Sequence, residues 1–344
     1  MMREKAKKTI INFLILLGLS FGMIYLIYRK TNPKDLKAVF FAMKKEYIVY
    51  AILAFILYRL MEGLALYVLF KKVRQDTSIR ACMAYSIFGH FFSQLTPSGG
   101  GGQPAQLYLM TKDGIKGDKA LAAMVPFNIM YHISLPIVGL IALSTQLRWI
   151  IFSSNLSFFF YIGLLVQVFL AIVVILAFKK TTWLLNLLVF ISEKIKGKRF
   201  FDRFYRSKDR IRAFLEDLKK NMLRLVENKE VFIIIFILQA LMLFFNYTMS
   251  YFTYRAMGFS DYSLFDIVRI QCLIIIATEY IPTPGTAGFS ELALYEAYKN
   301  IIAKDYALSW MMLNRILPLY LAILFTLIIY IIRSVREKNN SKEV

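Results

Sequence analysis

Histidine, cysteine and acidic residues are all scarce in this chain. Its 344 residues hold two histidines, two cysteines, and 22 Asp and Glu against 43 Lys and Arg. His90 and His132 are too few to build a metal site. Cys82 and Cys272 both sit in apolar sequence, so neither a disulfide framework nor a metal-ligand cluster is expected. The glycine run Gly99–Gly102 lacks the Gly-Lys-Ser/Thr ending of a nucleotide phosphate loop, which excludes ATP binding there. No catalytic triad and no paired carboxylates of a water-soluble active site are visible. Residues 9–28 follow a basic start but no small-residue cleavage site, so they read as a retained first span and not a signal peptide. No cofactor is expected.

What the chain has in excess is apolar surface. Hydrophobic residues make up 58% of it, against roughly 45–50% in a soluble domain. They concentrate in uncharged runs such as Val231–Phe245 and Leu319–Ile332. A run of ~20 residues crosses a hydrocarbon core, and inside it the backbone must satisfy its own hydrogen bonds. The absence of strict alternation decides for helices, so the fold class is an all-α polytopic membrane protein. Full spans are expected at 9–28, 47–70, 120–144, 158–178, 231–254 and 305–333. The net charge of +21 sits between these runs, which fits anionic lipid head groups and a positive-inside bias rather than nucleic acid.

Two further apolar stretches, 81–110 and 264–303, are interrupted by Thr96-Pro97-Ser98 with four glycines and by Ile281-Pro282-Thr283-Pro284-Gly285-Thr286-Ala287-Gly288. Proline removes a donor and glycine weakens a helix. Each stretch therefore reads as a re-entrant hairpin of two short limbs. With the N-terminus inside and both hairpins returning to the side they enter, 30 basic loop residues fall inside and 10 outside. The connector 179–230, with 15 basic and 7 acidic residues, lies inside as an amphipathic surface segment on anionic lipid. Both termini are expected to be cytoplasmic. Six of the 10 outer basic residues lie in 29–46, where Asp35–Lys45 reads as an outer surface helix.

The two breaks stand 185 residues apart. At that offset Pro97 meets Pro282, Gly100 meets Gly285, Gln94 meets Glu279, Gln106 meets Glu291, and Leu107 and Leu109 meet Leu292 and Leu294. The spans follow the same period, which defines repeat one as 47–144 and repeat two as 231–333. Under the topology above the repeats are inverted, the pattern of transporters with a binding site at the repeat interface.

Charges at membrane depth each ask for a partner or a role. Arg59 and Glu62 are three apart on one helix, and a self-neutralising pair stands beside a functional one. Asp266 and Arg269 read as a surface pair. Glu279, Glu291 and Arg315 are expected to form a polar cluster at the tip of hairpin two. Gln94, Gln103 and Gln106 face it from hairpin one, and Pro97, Gly100, Pro282, Pro284, Gly285 and Gly288 shape the tips. A Glu279–Arg315 ion pair holding the repeats together is the alternative. Limb N-termini favour an anionic group, so a phospholipid head group carrying both signs fits.

The breaks Gln94-Leu95-Thr96-Pro97 through Leu107 and Glu279-Tyr280-Ile281-Pro282-Thr283-Pro284-Gly285 through Glu291 resemble the membrane domain of the lysyl-phosphatidylglycerol synthase/flippase (multiple peptide resistance factor) family, over essentially the whole chain. Two positions depart from the family pattern: Gln106 stands where a Glu is usual, and no Arg follows Pro97. The resemblance implies movement of aminoacylated phosphatidylglycerol, or a related polar lipid, between leaflets of the bacterial plasma membrane, in a cationic-peptide resistance setting. It also carries the label phosphatidylglycerol lysyltransferase. The chain ends about ten residues after its last span, without room for the aminoacyl-transferase domain, so no such catalysis is expected from it alone. A secondary transporter of a small solute, a partner-dependent lipid-modifying subunit and an envelope scaffold remain open, as does homo-oligomerisation.

Overall fold

The computed structural model describes residues 41–96, 99–143, 156–179, 220, 228–279, 289–299 and 301–340. The expected first span 9–28 and Pro97, Pro282, Pro284, Gly285 and Gly288 lie outside these, as do most of 35–45 and of the connector 179–230. The described residues are helical: α1 (Lys45–Lys72), α2 (Ile79–Gln94), α3 (Gly102–Lys112), α4 (Gly117–Leu143), α5 (Leu156–Lys179), α6 (Lys229–Ala256), α7 (Leu264–Thr278), α8 (Phe289–Tyr298) and α9 (Lys304–Asn340).

Four helices among the described residues are long and apolar enough to cross a bilayer: α1, α4, α6 and residues 306–333 of α9. The 24-residue α5 covers the expected span at 158–178. Large apolar side chains on α5, α6 and α9 point outward, among them Phe158, Leu165, Phe169, Ile233, Leu327 and Ile331. In water such a belt would be an aggregation surface; in lipid it is the expected exterior. The chain is a multi-pass membrane protein.

Both interrupted stretches fold as two short helices that pack on each other, α2 with α3 and α7 with α8. The start of each hairpin is set by a serine cap. Ser78 Oγ accepts from the Ala81 amide at 3.1 Å, and Ser263 forms a reciprocal capping box with Asp266, satisfying donors the first turn leaves orphaned. These serines also stand 185 residues apart. At the first break Thr96 Oγ1 accepts from the Gly101 amide at 2.7 Å and donates to the Phe92 carbonyl at 2.9 Å. The limbs then close tightly because a Cβ on Gly102 would lie 2.8 Å from the Gly89 carbonyl oxygen.

The offset carries α1, α2, α3 and α4 onto α6, α7, α8 and α9 within one or two residues at their starts. Packing follows it: α2 lies on α9 as α4 lies on α7. The axis of this exchange runs between α1 and α6, which pack antiparallel. Lys44 N–H donates to the Ala256 carbonyl at 2.9 Å, Arg255 Nη2 donates to Tyr47 Oη at 3.2 Å, and the Tyr50 and Phe252 rings sit 5.5 Å apart. One turn further in, Ala54 and Phe55 share a cluster with Met249. Equivalent helices therefore run in opposite directions.

Candidate functional site

Among the described residues three acidic side chains, Glu62, Glu279 and Glu291, lie in or beside the apolar helices. Glu62, near the middle of α1, is saturated. Its Oε2 accepts from Arg59 Nη1 at 2.7 Å and from Ser86 Oγ at 2.8 Å, and its Oε1 accepts from Gln106 Nε2 at 2.6 Å. The pair is buried, with side chains 3% and 9% exposed. Arg59 also reaches the Ser86 carbonyl at 3.3 Å, and its guanidinium carbon lies 3.4 Å from the centre of the Tyr58 ring. Gly89 makes this reach possible, since a Cβ there would meet the Gln106 side chain at 2.4 Å. The network ties both limbs of hairpin one to α1. Charge-assisted bonds of this kind are shorter and stronger than neutral ones.

Glu291 opens α8 and is fully buried. Its Oε1 lies 3.1 Å from Arg315 Nε on α9, and its Oε2 accepts from Ser290 Oγ at 2.9 Å. A carboxylate in the first turn of a helix is also favoured by the helix dipole.

Glu279 differs from both. It closes α7 at the second break and is only partly buried. Gln167 Nε2 of α5 donates to its Oε2 at 2.5 Å, and the Tyr131 hydroxyl of α4 is its other hydrogen-bond partner. Both partners are neutral. Gln167 is fully buried, and its Oε1 lies 3.2 Å from His132 Nδ1. Helix α5 approaches close enough for this because Gly163 faces α7: a Cβ there would sit 1.8 Å from the Ile276 carbonyl oxygen.

Struts of a different kind brace the hairpin bases. In hairpin one, Tyr85 Oη donates to Asp113 Oδ2 at 2.8 Å, and Arg333 on α9 grips Asp113 with two bonds of 2.7 and 2.8 Å. In hairpin two, Gln271 Nε2 donates to Tyr298 Oη at 3.1 Å. Asp266 and Arg269 approach at 3.7 Å with both side chains about a third exposed, a surface pair of little energetic weight.

The six polar residues expected in one cluster are thus distributed. Glu291 and Arg315 are joined. Glu279 is bonded to residues of α4 and α5, and Gln106 to the Arg59–Glu62 pair of α1. Gln94 ends α2 half-buried, and Gln103 at the start of α3 is exposed, as is Gly100 before it. Sequence reasoning missed Gln167, Tyr131 and His132. A usable signal existed: Gln167 is the one amide side chain in an otherwise apolar span, and His132 is one of two histidines. Among the described residues no group of three or more His, Cys, Asp or Glu could hold a metal ion.

Paired spans with inverted broken hairpins, and polar residues beside the second break, define a polytopic all-α membrane protein built as an inverted repeat. The chain belongs to the family described as the lysylphosphatidylglycerol synthase TM region, whose model matches residues 11–326. The family places the chain in membrane lipid biology. No curated protein matches it.

Proposed function

We propose that this chain moves a phospholipid between the leaflets of the bacterial plasma membrane, with aminoacylated phosphatidylglycerol or a related polar lipid as the cargo. The head group passes between the two inverted hairpins while the acyl tails stay in the bilayer. The observation that carries this reading is Glu279. It is the partly accessible one of the three membrane-depth acids, it lies beside a helix break, and its partners are neutral. A cationic or zwitterionic head group supplies the positive charge it lacks, and Arg315 beside Glu291 offers the opposite sign to a phosphate.

The test is a leaflet assay in proteoliposomes with fluorescent phosphatidylglycerol and its lysyl derivative, for wild type and Glu279→Gln. Transbilayer movement that needs Glu279 supports a lipid translocase with its site at hairpin two. Movement of neither lipid by folded protein rejects it and favours a solute transporter. Lysine transfer from aminoacyl-tRNA by the purified chain would instead assign an enzyme.

A further inference from the structure

Two of the three membrane-depth acids carry an arginine, Glu62 at 2.7 Å and Glu291 at 3.1 Å. Among the described residues Glu279 has none beside it: its hydrogen bonds come from Gln167 and Tyr131. The ionisable groups facing it from the packed elements are Tyr131 and His132 on α4, Tyr247 on α6 and Cys272 on its own helix. Among these described residues none is a fixed cation. A lone ionised carboxylate in a low-dielectric setting is costly, and such groups occur where an ion or proton is handled.

The bridge to His132 adds direction. Gln167 is buried and held at both ends. Its Nε2 donates to Glu279, so its Oε1 faces His132 Nδ1 at 3.2 Å. A carbonyl oxygen only accepts, so Nδ1 carries the hydrogen in this contact. A hard metal cation would want six or more oxygen ligands, whereas the described groups offer one carboxylate and one phenol. A proton needs a single acceptor.

Resting on the head-group reading above, we infer that Glu279, held by a Gln167 whose other end meets His132, is a proton-binding site, so that movement of the head group is exchanged against a proton. With the site empty of lipid, an O–H bond forms on Glu279 with a proton taken from one aqueous side. When the head-group ammonium arrives, that bond breaks and the proton leaves to the other side. The site then holds carboxyl alone or carboxylate with ammonium, and is neutral in both states. Gln167 positions the Glu279 carboxyl without itself exchanging a proton.

The experiment uses the full chain in proteoliposomes with fluorescent lysyl-phosphatidylglycerol under a one-unit pH gradient. One-to-one exchange shifts the steady-state leaflet ratio of the probe by up to about tenfold and reverses when the gradient is reversed. A second readout needs no transport: infrared difference spectra on acidification should show a protonated-carboxyl band that Glu279→Gln abolishes. Gln167→Leu should keep the band but move the pH at which it appears. A probe that moves with a leaflet ratio indifferent to the gradient overturns the proton site and leaves the translocase reading intact. A carboxyl band unchanged in Glu279→Gln also overturns it. An immobile probe rejects the translocase reading, and the infrared arm then decides the proton site alone.

Discussion

Hairpin one and hairpin two are built to one plan and finished differently. Both begin at a capping serine, break after four turns and return through a short limb. At matching positions hairpin one carries Gln94 and Gln106 where hairpin two carries Glu279 and Glu291. The neutral Gln106 completes the hydrogen bonding of Glu62 beside Arg59, so hairpin one is fastened to a neutralised pair on α1. In hairpin two one acid is neutralised by Arg315 and the other is left among neutral donors. Symmetry supplies the scaffold, and the departure from symmetry leaves Glu279 with neutral partners among the described residues.

The largest effect should come from unbalancing the finished side. Glu62→Leu strands the Arg59 charge and should lower stability by about 3–5 kcal/mol, with the double variant Arg59→Leu/Glu62→Leu recovering much of it. Denaturant unfolding in detergent micelles measures both, and additive losses would break the contrast between the hairpins. Next is Gly163→Val, which forces α5 away from the Ile276 carbonyl and should cost about 1–3 kcal/mol of the same unfolding free energy. It should also pull Gln167 from Glu279, so lipid movement falls with it. Glu279→Gln should leave stability within about 1 kcal/mol, because an amide still accepts from Gln167 and Tyr131. Its lipid movement should nevertheless drop at least about tenfold, the equivalent of 1.4 kcal/mol. A variant as unstable as Glu62→Leu would make Glu279 a second brace. The smallest change is Tyr85→Phe, about 1 kcal/mol from one partly exposed hydrogen bond to Asp113, visible as a modest shift in thermal unfolding.

The scaffold was legible in the sequence because its signals are local or periodic. Apolar run length gave α1, α4, α5, α6 and α9. The Pro and Gly breaks separated α2 from α3 and α7 from α8, and the 185-residue offset paired them. The candidate site was legible only in part. Glu291 and Arg315 were found because they are the charges in adjacent segments. The partner of Gln106 lies 44 residues away on α1, a distance no helical period encodes, and it depends on the missing side chain of Gly89. Gln167 lies in α5, between the repeats and without a counterpart at the offset. A search along the repeat never reaches it, and its 112-residue link to Glu279 is a product of tertiary packing at Gly163.

The grip of Arg333 on Asp113 joins the last helix of repeat two to the mouth of hairpin one. Both side chains are only about a quarter exposed, so salt reaches the pair without dissolving it. Any motion that parts α9 from hairpin one must release both bonds together, which makes the step abrupt rather than gradual. The rate of that release becomes a quantity ionic strength can tune from outside the membrane core, with every residue near Glu279 left untouched.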